Sequence, residues 1–258
     1  MYTALNFVNS NYLHNISDFF LNLKKRSYEL MNFRKGAKLL DVGCGPGIDT
    51  ISLADCKAQP DFVAGIDFDR EMVTEAHCNA RKLSLKTSLL YAQAVSQNLP
   101  FKSDSFDAVR SERMLQHHPS PQKAVNEMVR VCRKEGTVVI IDCDHSSLSI
   151  NTNLTETEWK LRRFRTDYLP NGYAGRALYG QLHDAGVSNI AIELHPAYVF
   201  SFQQYRALTR MEKIELEALQ NGVIDKRELE AYNIDLMRRE SEGSFMAYMV
   251  MMVVYGEK

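Results

Sequence analysis

The sequence lacks the features of a secreted or nucleic-acid-binding protein. Its 258 residues include only five cysteines, with no Cys-x-x-Cys pair, and an odd number argues against a disulfide framework. The formal net charge is -1, from 31 Lys and Arg against 32 Asp and Glu, so no general attraction to nucleic acid or an anionic membrane is expected. We therefore predict reduced cysteines, a cytoplasmic location and no metal site.

A signal peptide and long apolar segments are also missing. The N-terminal stretch MYTALNFVNSNYLHN lacks the basic start and apolar core of a signal peptide. The strongest apolar run is FMAYMVMMVVY at 245–255, whereas a membrane-spanning helix needs roughly 20 residues. We predict no membrane span, and we interpret 245–255 as a strand buried on both faces.

Short apolar runs alternate with amphipathic stretches along much of the chain. This alternation predicts a largely parallel β-sheet whose strands are joined by helices. One helix has a typical start, because Ser120 suits an N-cap and Pro121 the first turn. The predicted strands are 37–42, 62–67, 88–95, 106–111, 137–144, 189–195 and 245–255, and the predicted helices are 49–56, 70–83, 120–133 and 176–186.

The stretch LLDVGCGPGIDTISLA at 39–54 joins the first predicted strand to a helix. Glycines at 43, 45 and 47 permit unusual backbone dihedrals and a close approach of a ligand to the backbone. Backbone N–H groups at such a join can bind a ligand at the carboxyl edge of the sheet. The loop alone does not distinguish nicotinamide, flavin and nucleoside ligands.

Two further positions bear on the ligand, although an acid such as Asp67 also occurs in dinucleotide-binding proteins and only position 48 separates the classes. Asp67 ends the second predicted strand, where a carboxylate can accept hydrogen bonds from both hydroxyls of a ribose. A dinucleotide fingerprint requires glycine or alanine at position 48, which is isoleucine here. The pattern favours a nucleoside ligand over a nicotinamide dinucleotide.

Four stretches together carry a family resemblance: LLDVGCGPG, GIDFDREMV, NLPFKSDSFDAV and ERMLQHHPSPQKAVNEMVRV. They resemble the class I S-adenosylmethionine (SAM) dependent methyltransferases, within the group that includes the ubiquinone and menaquinone C-methyltransferases. The resemblance covers about residues 37–144. It implies a Rossmann-like α/β fold with a seven-stranded, mostly parallel sheet in the order 3-2-1-4-5-7-6, an antiparallel seventh strand, helices on both faces and a helical cap.

The resemblance also implies roles for matching residues. Asp41 and the loop from Gly43 to Gly47 would line the methionine part of SAM, Asp67 would hold the ribose, and Phe68 and Met72 would pack on adenine. The predicted cofactor-binding residues are Asp41, Gly43, Cys44, Gly45, Gly47, Asp67, Phe68, Met72, Ser96 and Arg113.

The sequence departs from the family at the adenine edge. Relatives usually carry an acid followed by alanine before Leu-Pro-Phe, where this chain has Val95 and Ser96. A contact with adenine is therefore expected from the backbone of Ser96 and not from an acidic side chain.

Two pairs of residues after the fourth strand and at the end of the fifth have open roles. His117 and His118 are candidate catalytic bases, because imidazole accepts a proton near neutral pH, but they also suit loop capping and side-chain packing. Asp142 and Asp144 are either ligands or a base, or acids that cap the following turn.

The resemblance implies transfer of a methyl group from SAM to a small-molecule O, N or C nucleophile, leaving S-adenosylhomocysteine. The chain reads Ser-Glu-Arg-Met at 111–114, not the Asp/Asn-Pro-Pro-Tyr/Phe of DNA amino-methyltransferases, so no nucleic-acid partner is expected. Two alternatives stay open: a nicotinamide-dependent oxidoreductase, and a SAM-binding protein without transferase activity. The sequence predicts no oligomeric state.

Three segments do not follow the strand–helix alternation: 1–35, 145–175 and 196–243. The first is predicted to be helical, and the other two are rich in aromatic and charged side chains. Long insertions in a compact domain are usually lids or binding loops. We interpret residues 1–258 as one domain in which these segments form a cap that selects an apolar or planar acceptor.

Overall fold

The structure is a computed structural model of the chain, and it describes residues 10–258. Its strands are β1 (Lys38–Val42), β2 (Phe62–Asp67), β3 (Ser88–Gln93), β4 (Phe106–Glu112), β5 (Cys132–Ile150), β6 (Ser188–Val199) and β7 (Ala247–Glu257). Its helices are α1 (Ser10–Ser17), α2 (Leu21–Leu30), α3 (Ile48–Ala54), α4 (Arg70–Arg81), α5 (Pro121–Val131), α6 (Thr155–Tyr168), α7 (Ala174–Asp184), α8 (Phe202–Thr209), α9 (Met211–Gln220) and α10 (Lys226–Ser241).

Seven strands of the described range form one sheet in the order β3-β2-β1-β4-β5-β7-β6. The central strand β1 pairs in parallel with β2 and β4, so that Leu40 lies opposite both Ala64 and Val109. The pairs β2–β3 and β4–β5 are also parallel. The predicted strand order is confirmed.

Strand β7 runs against β5. Lys258 N donates to Gly136 O, and Asn151 N donates to Met246 O. Residue numbers thus rise along β5 while they fall along β7, which defines an antiparallel pair. The predicted direction of the seventh strand is confirmed.

The sheet is buried on both faces near its centre. Leu39 and Leu40 are adjacent in β1, point to opposite faces and are both fully buried. Val125 of α5 and Leu178 of α7 join the hydrophobic cluster that contains Leu40. In β7, burial on both faces is confirmed at Val253–Val254, whereas Tyr248 is exposed.

The chain forms two compact units. Among the described residues, the first comprises 10–142, 177–193 and 253–258, and the second comprises 143–176 and 194–252. The segments 145–175 and 196–243 fall entirely within the second unit, whereas α1 and α2 belong to the first. Residues 1–9 of the predicted cap lie outside the described residues.

Strand β5 is longer than the predicted 137–144. It begins directly after α5 and continues to Ile150 through HSSLSI, where four of the six residues are polar and hide the strand pattern. Leu148 is buried in this extension.

Among the described residues, no helix combines the length and the apolarity that crossing a bilayer requires.

Candidate functional site

The loop between β1 and α3 has the backbone that its glycines predict. Gly43, Gly45 and Gly47 have φ angles of +80°, +52° and +84°. Residues with a Cβ rarely adopt this backbone region. The N–H groups of Gly43 and Cys44 donate to Ile66 O at 2.7 and 3.0 Å. These bonds fold the loop against the end of β2.

The space beside these glycines is filled by the protein itself. A Cβ on Gly43 would lie 2.8 Å from Met114 Cγ, and one on Gly47 would lie 2.9 Å from Ala76 Cβ. The glycines predict close approach of a ligand to the loop. The structure adds a packing requirement, because the loop lies directly against neighbouring side chains at both positions.

Asp67 connects β2 to the glycine loop. Its Oδ2 accepts from Gly45 N at 2.8 Å, and its Oδ1 accepts from Asp69 N at 3.0 Å. Burial raises the pKa of Asp67, while the two backbone N–H groups oppose that shift. Each carboxylate oxygen has a second lone pair, so Asp67 can hold the loop and still accept hydrogen bonds from a ligand.

An aromatic ring stands beside Asp67. Phe68 is 50% exposed, although it directly follows a buried strand, and an apolar side chain in this position is available to a planar ligand. Met72 is partly buried in the first turn of α4, whose N-cap is Asp69. The structure thus places the predicted ribose and adenine residues at one edge of the sheet.

Ser96 and His118 are brought together by the structure. Ser96 Oγ lies 3.2 Å from His118 Nε2, and Gln97 Nε2 lies 2.7 Å from His118 Nδ1. Burial lowers the pKa of His118, which favours the neutral ring. Both ring nitrogens therefore have protein partners. No sequence motif indicates this contact between a predicted adenine residue and a predicted base.

His117 lies in a short 3-10 turn, Leu115–His117, that follows β4. Burial, assisted by the charge of Arg113 and by His118, lowers the pKa of His117 to about 4. The imidazole is consequently neutral at pH 7. Neutral imidazole can accept a proton, but a low pKa makes it a weak base.

Asp41 lies in a buried group of charged side chains. Arg110 of β4 brings Nη1 to 3.0 Å from Asp41 Oδ1 and Nη2 to 2.6 Å from Glu112 Oε2. Lys24 of α2 brings Nζ to 2.7 Å from Asp49 Oδ2 and to 2.9 Å from Glu112 Oε2. Sequence reasoning identified only Asp41. The available signal was charge inside apolar stretches, such as Arg110 within FDAVRS.

Two polar side chains of α2 extend this group. Tyr28 Oη donates to Asp49 Oδ1, and Ser27 Oγ accepts from Arg110 Nε at 3.3 Å. The guanidinium carbon of Arg110 also lies 5.3 Å from the centre of the Tyr28 ring, within cation–π range. Helix α2 is thereby connected to β4 and α3 by several polar contacts.

One oxygen of the group has no protein partner. Asp41 Oδ2 is buried, and no hydrogen bond from the described residues reaches it. Burial raises the pKa of Asp41 to about 7, with Arg110 opposing the shift and Asp49 adding to it. Burial also raises the pKa of Asp49, but the positive charges of Arg110 and Lys24 lower it by more. The pKa of Asp49 therefore lies below its usual range. A buried acceptor without a donor is costly, so Asp41 Oδ2 suits a cationic donor on a ligand.

Arg113 directly follows β4 with a φ of +51°, an uncommon conformation for a residue with a side chain. Its N–H donates to Ile141 O at 2.8 Å. Its Nε lies 3.3 Å from Glu112 Oε1, and its guanidinium carbon lies 5.1 Å from the centre of the Phe20 ring. Arg113 is thus held at the carboxyl edge of the parallel strands, which is also the edge at which Asp41 lies.

The two acids at 142 and 144 hold protein groups. Asp142 Oδ2 accepts from Gln116 N at 3.1 Å, and Asp144 pairs with Arg176 at 2.7 Å. Neither acid directly precedes a turn, because β5 continues to Ile150, although Asp144 Oδ1 also accepts from the nearby Ser146 N at 3.2 Å. Across the described range, no cluster of three or more His, Cys, Asp or Glu side chains is arranged to hold a metal ion.

The fold is that of the Rossmann-like class I methyltransferases. Residues 33–187 match the protein family described as "Methyltransferase domain", and the chain belongs to that family. It is 35% identical over 159 residues to an uncharacterized 37.1 kDa protein in a transposon of Streptomyces fradiae, covering 61% of this chain and 45% of that protein.

A second relative is the demethylmenaquinone methyltransferase of Bacillus licheniformis, which is 34% identical over 119 residues, covering 46% of this chain and 50% of that enzyme. The chain spans about half the length of the curated relatives it matches. This similarity agrees with the menaquinone methyltransferase resemblance of the sequence motifs.

Solved structures share the fold over most of the chain. The YcgJ protein from Bacillus subtilis aligns with a TM-score of 0.65 at 16% identity and covers 92% of this chain and 98% of that one. Phosphoethanolamine N-methyltransferase 2 from Haemonchus contortus, solved with phosphomonomethylethanolamine and S-adenosylhomocysteine, aligns with a TM-score of 0.59 at 16% identity, covering 95% and 56%. At these identities the likeness concerns the fold.

Proposed function

We propose that the protein transfers a methyl group from SAM to a small-molecule acceptor. The observation that carries the proposal is the hydrogen bond from Gly45 N to Asp67 Oδ2, which joins the glycine loop to the acid that follows β2. The family match supports the choice of reaction. SAM supplies a sulfonium methyl group that is already activated for displacement.

The residues of the first unit suit the nucleoside part of SAM. Asp67 would accept hydrogen bonds from the ribose hydroxyls, since its lone pairs are not all used by Gly45 and Asp69. Phe68 would pack on adenine with its exposed face. Ser96 would meet the adenine edge through its backbone, because its hydroxyl lies beside His118.

The amino-acid part of SAM is zwitterionic, and the structure offers a group for each charge. Asp41 Oδ2, buried and without a donor from the described residues, would accept from the ammonium group. Arg113 uses Nε for Glu112, and we propose that its terminal nitrogens bind the carboxylate. Gly43, Cys44 and Gly47 would line this part through the loop backbone.

Catalysis would depend mainly on alignment. In-line displacement requires the acceptor nucleophile, the methyl carbon and sulfur to be collinear, and positioning alone contributes much of the acceleration. His117 and His118 stay candidates for proton acceptance. Their lowered pKa values make them weak bases, which favours an acceptor that needs little proton removal.

Acceptor choice is proposed to depend on the segments 145–175 and 196–243. Both interrupt the strand–helix alternation, and the second carries α8, α9 and α10. Demethylmenaquinone and phosphomonomethylethanolamine, known from the names of the similar proteins, are the first acceptors to test. We also propose a cytoplasmic setting without a nucleic-acid partner, supported by five free cysteines and the small net charge.

Isothermal titration with SAM, S-adenosylhomocysteine and NAD tests the cofactor. Binding of the first two without NAD supports the proposal, whereas binding of NAD alone supports the oxidoreductase alternative. Radiolabelled SAM with a panel of quinols, phenols and amines then tests transfer. Cofactor binding without transfer to any member would support a SAM-binding protein that has lost activity.

A further inference from the structure

Helix α2 is attached to the cofactor loop region through one buried lysine. Lys24 is 4% exposed, and its Nζ lies 2.7 Å from Asp49 Oδ2 and 3.0 and 2.9 Å from the two oxygens of Glu112. An ammonium group has three hydrogens, and these contacts give each of them an acceptor. The neighbouring Lys25 is exposed.

The two partners of Lys24 have contacts of their own. Asp49 lies in the first turn of α3, directly after the glycine loop. Glu112 accepts from Arg110 Nη2 at 2.6 Å and from Arg113 Nε at 3.3 Å. A change at Lys24 therefore reaches both arginines through a single carboxylate.

We propose that Lys24 is a positioning residue for the amino-acid end of the cofactor site, and that docking of α2 and binding of the cofactor reinforce each other. This inference rests on the proposed SAM site. Without the lysine charge, the carboxylates of Asp49, Glu112 and Asp41 are neutralised only by the neighbouring arginines. Repulsion between these buried carboxylates then displaces their side chains. Because such coupling is reciprocal, the cofactor in turn stabilises α2.

Two ligands separate a positioning role from a general structural one. S-adenosylhomocysteine carries the amino-acid group, whereas 5′-methylthioadenosine has the same nucleoside without it. We expect Lys24→Met to weaken S-adenosylhomocysteine about tenfold, the size of one charge-assisted hydrogen bond, and to leave 5′-methylthioadenosine nearly unchanged. The control Lys25→Met, one residue along the same helix, should bind both ligands as the wild type does.

The titrations distinguish three failures. Equal S-adenosylhomocysteine affinity in a folded Lys24→Met protein and the wild type would overturn the inference alone. Equal weakening of both ligands would assign Lys24 a structural role and also overturn it. A wild-type protein that binds neither ligand would overturn the proposed function, and this inference with it.

A measurement on the wild type covers the case in which Lys24→Met does not fold. Hydrogen exchange of the full chain with and without S-adenosylhomocysteine should show slower exchange in Leu21–Leu30 when the ligand is bound. The buried strand β1 serves as the internal reference, because we expect its amides to exchange slowly with or without the ligand. Unchanged exchange in α2 at saturating ligand would contradict the coupling.

Discussion

Arg110 Nη1 lies 3.0 Å from Asp41 Oδ1, and both residues are 1% exposed. The pair connects two adjacent parallel strands, because Asp41 of β1 lies opposite Arg110 in β4. Burying charges is costly unless each has a partner. Here Asp41 Oδ1 has its partner in Arg110, whereas the buried Oδ2 has no donor from the described residues.

Arg110→Met should destabilise the protein strongly. The change leaves Asp41 and Glu112 without their shared guanidinium, and breaking a buried pair typically costs about 3–5 kcal/mol. Urea unfolding monitored by circular dichroism measures the difference. The control Arg133→Met removes a surface pair with Asp107 and should cost about 1 kcal/mol or less. Similar losses for both variants would show that burial of the pair is unimportant.

Asp41→Asn should weaken S-adenosylhomocysteine about tenfold or more and leave 5′-methylthioadenosine nearly unaffected, since only the former carries an ammonium group. The pKa of Asp41 is raised to about 7 by burial, so its ionised fraction grows between pH 6 and pH 8. Wild-type affinity for S-adenosylhomocysteine should therefore rise across that window. Calorimetry at both pH values should show the rise disappear in Asp41→Asn, and a rise that persists would exclude Asp41 as its source.

The same shift has a consequence for stability. Because the pKa of Asp41 is higher in the folded protein than in the unfolded chain, the folded state binds more protons between about pH 4 and pH 7. The contribution of Asp41 to stability consequently falls as the pH rises through that range. The stability of Asp41→Asn should not fall in this way. Comparing the two proteins therefore separates the effect of Asp41 ionisation on stability from its effect on affinity.

Asp67→Ala should weaken SAM binding by about 1.5–3 kcal/mol for each hydrogen bond to ribose that is lost. The change also removes the acceptor of Gly45 N, so loop disorder adds to the effect. Asp69→Ala is the matched control, because that neighbouring acid caps α4 and should affect stability more than affinity. Unchanged SAM affinity in a folded Asp67→Ala protein would contradict the ribose role.

Gly43→Ala should destabilise the protein more than Gly186→Ala. Both glycines have nearly the same positive φ, +80° and +82°, so the backbone penalty of about 1–2 kcal/mol is shared. Only at Gly43 would the new Cβ meet Met114 Cγ at 2.8 Å, whereas Gly186 faces open space. Thermal unfolding of the two variants isolates the steric contribution. Equal melting temperatures would show that Met114 moves aside at no cost.

The sequence predicts local elements well where their ends carry clear signals. Strand β2 has the predicted bounds 62–67, because it follows Pro60 and ends in an acid before a capped helix. Strand β5 extends beyond the predicted 137–144, because the polar run His145–Ser147 interrupts its apolar pattern. The extension is recognised from the structure, in which β5 is a neighbour of β7 in the sheet.

The candidate site was predictable in its loop and not in its charged interior. The glycines and Asp67 follow a spaced motif, so local sequence places them together. Lys24 and Glu112 are separated by 88 residues. In the sequence, Lys24 lies in a basic stretch typical of a solvent-exposed helix face, and Glu112 follows an apolar run as a strand end does. Only the packing of α2 against β4 shows that they neutralise each other.

His117→Gln should remove part of the acid sensitivity of the fold. The pKa of His117 is lowered to about 4 by burial, below the ordinary value near 6.5. Between these pH values the unfolded chain binds a proton that the folded protein does not, so acid favours unfolding. As the pH falls from 7 to 4, the wild type should lose up to about 3 kcal/mol more stability than the variant, from the linked proton. Urea unfolding at pH 7, 6, 5 and 4 measures both proteins, with the pH 7 difference as reference. Parallel losses in the two proteins would show that His117 is not the buried neutral histidine that its surroundings indicate.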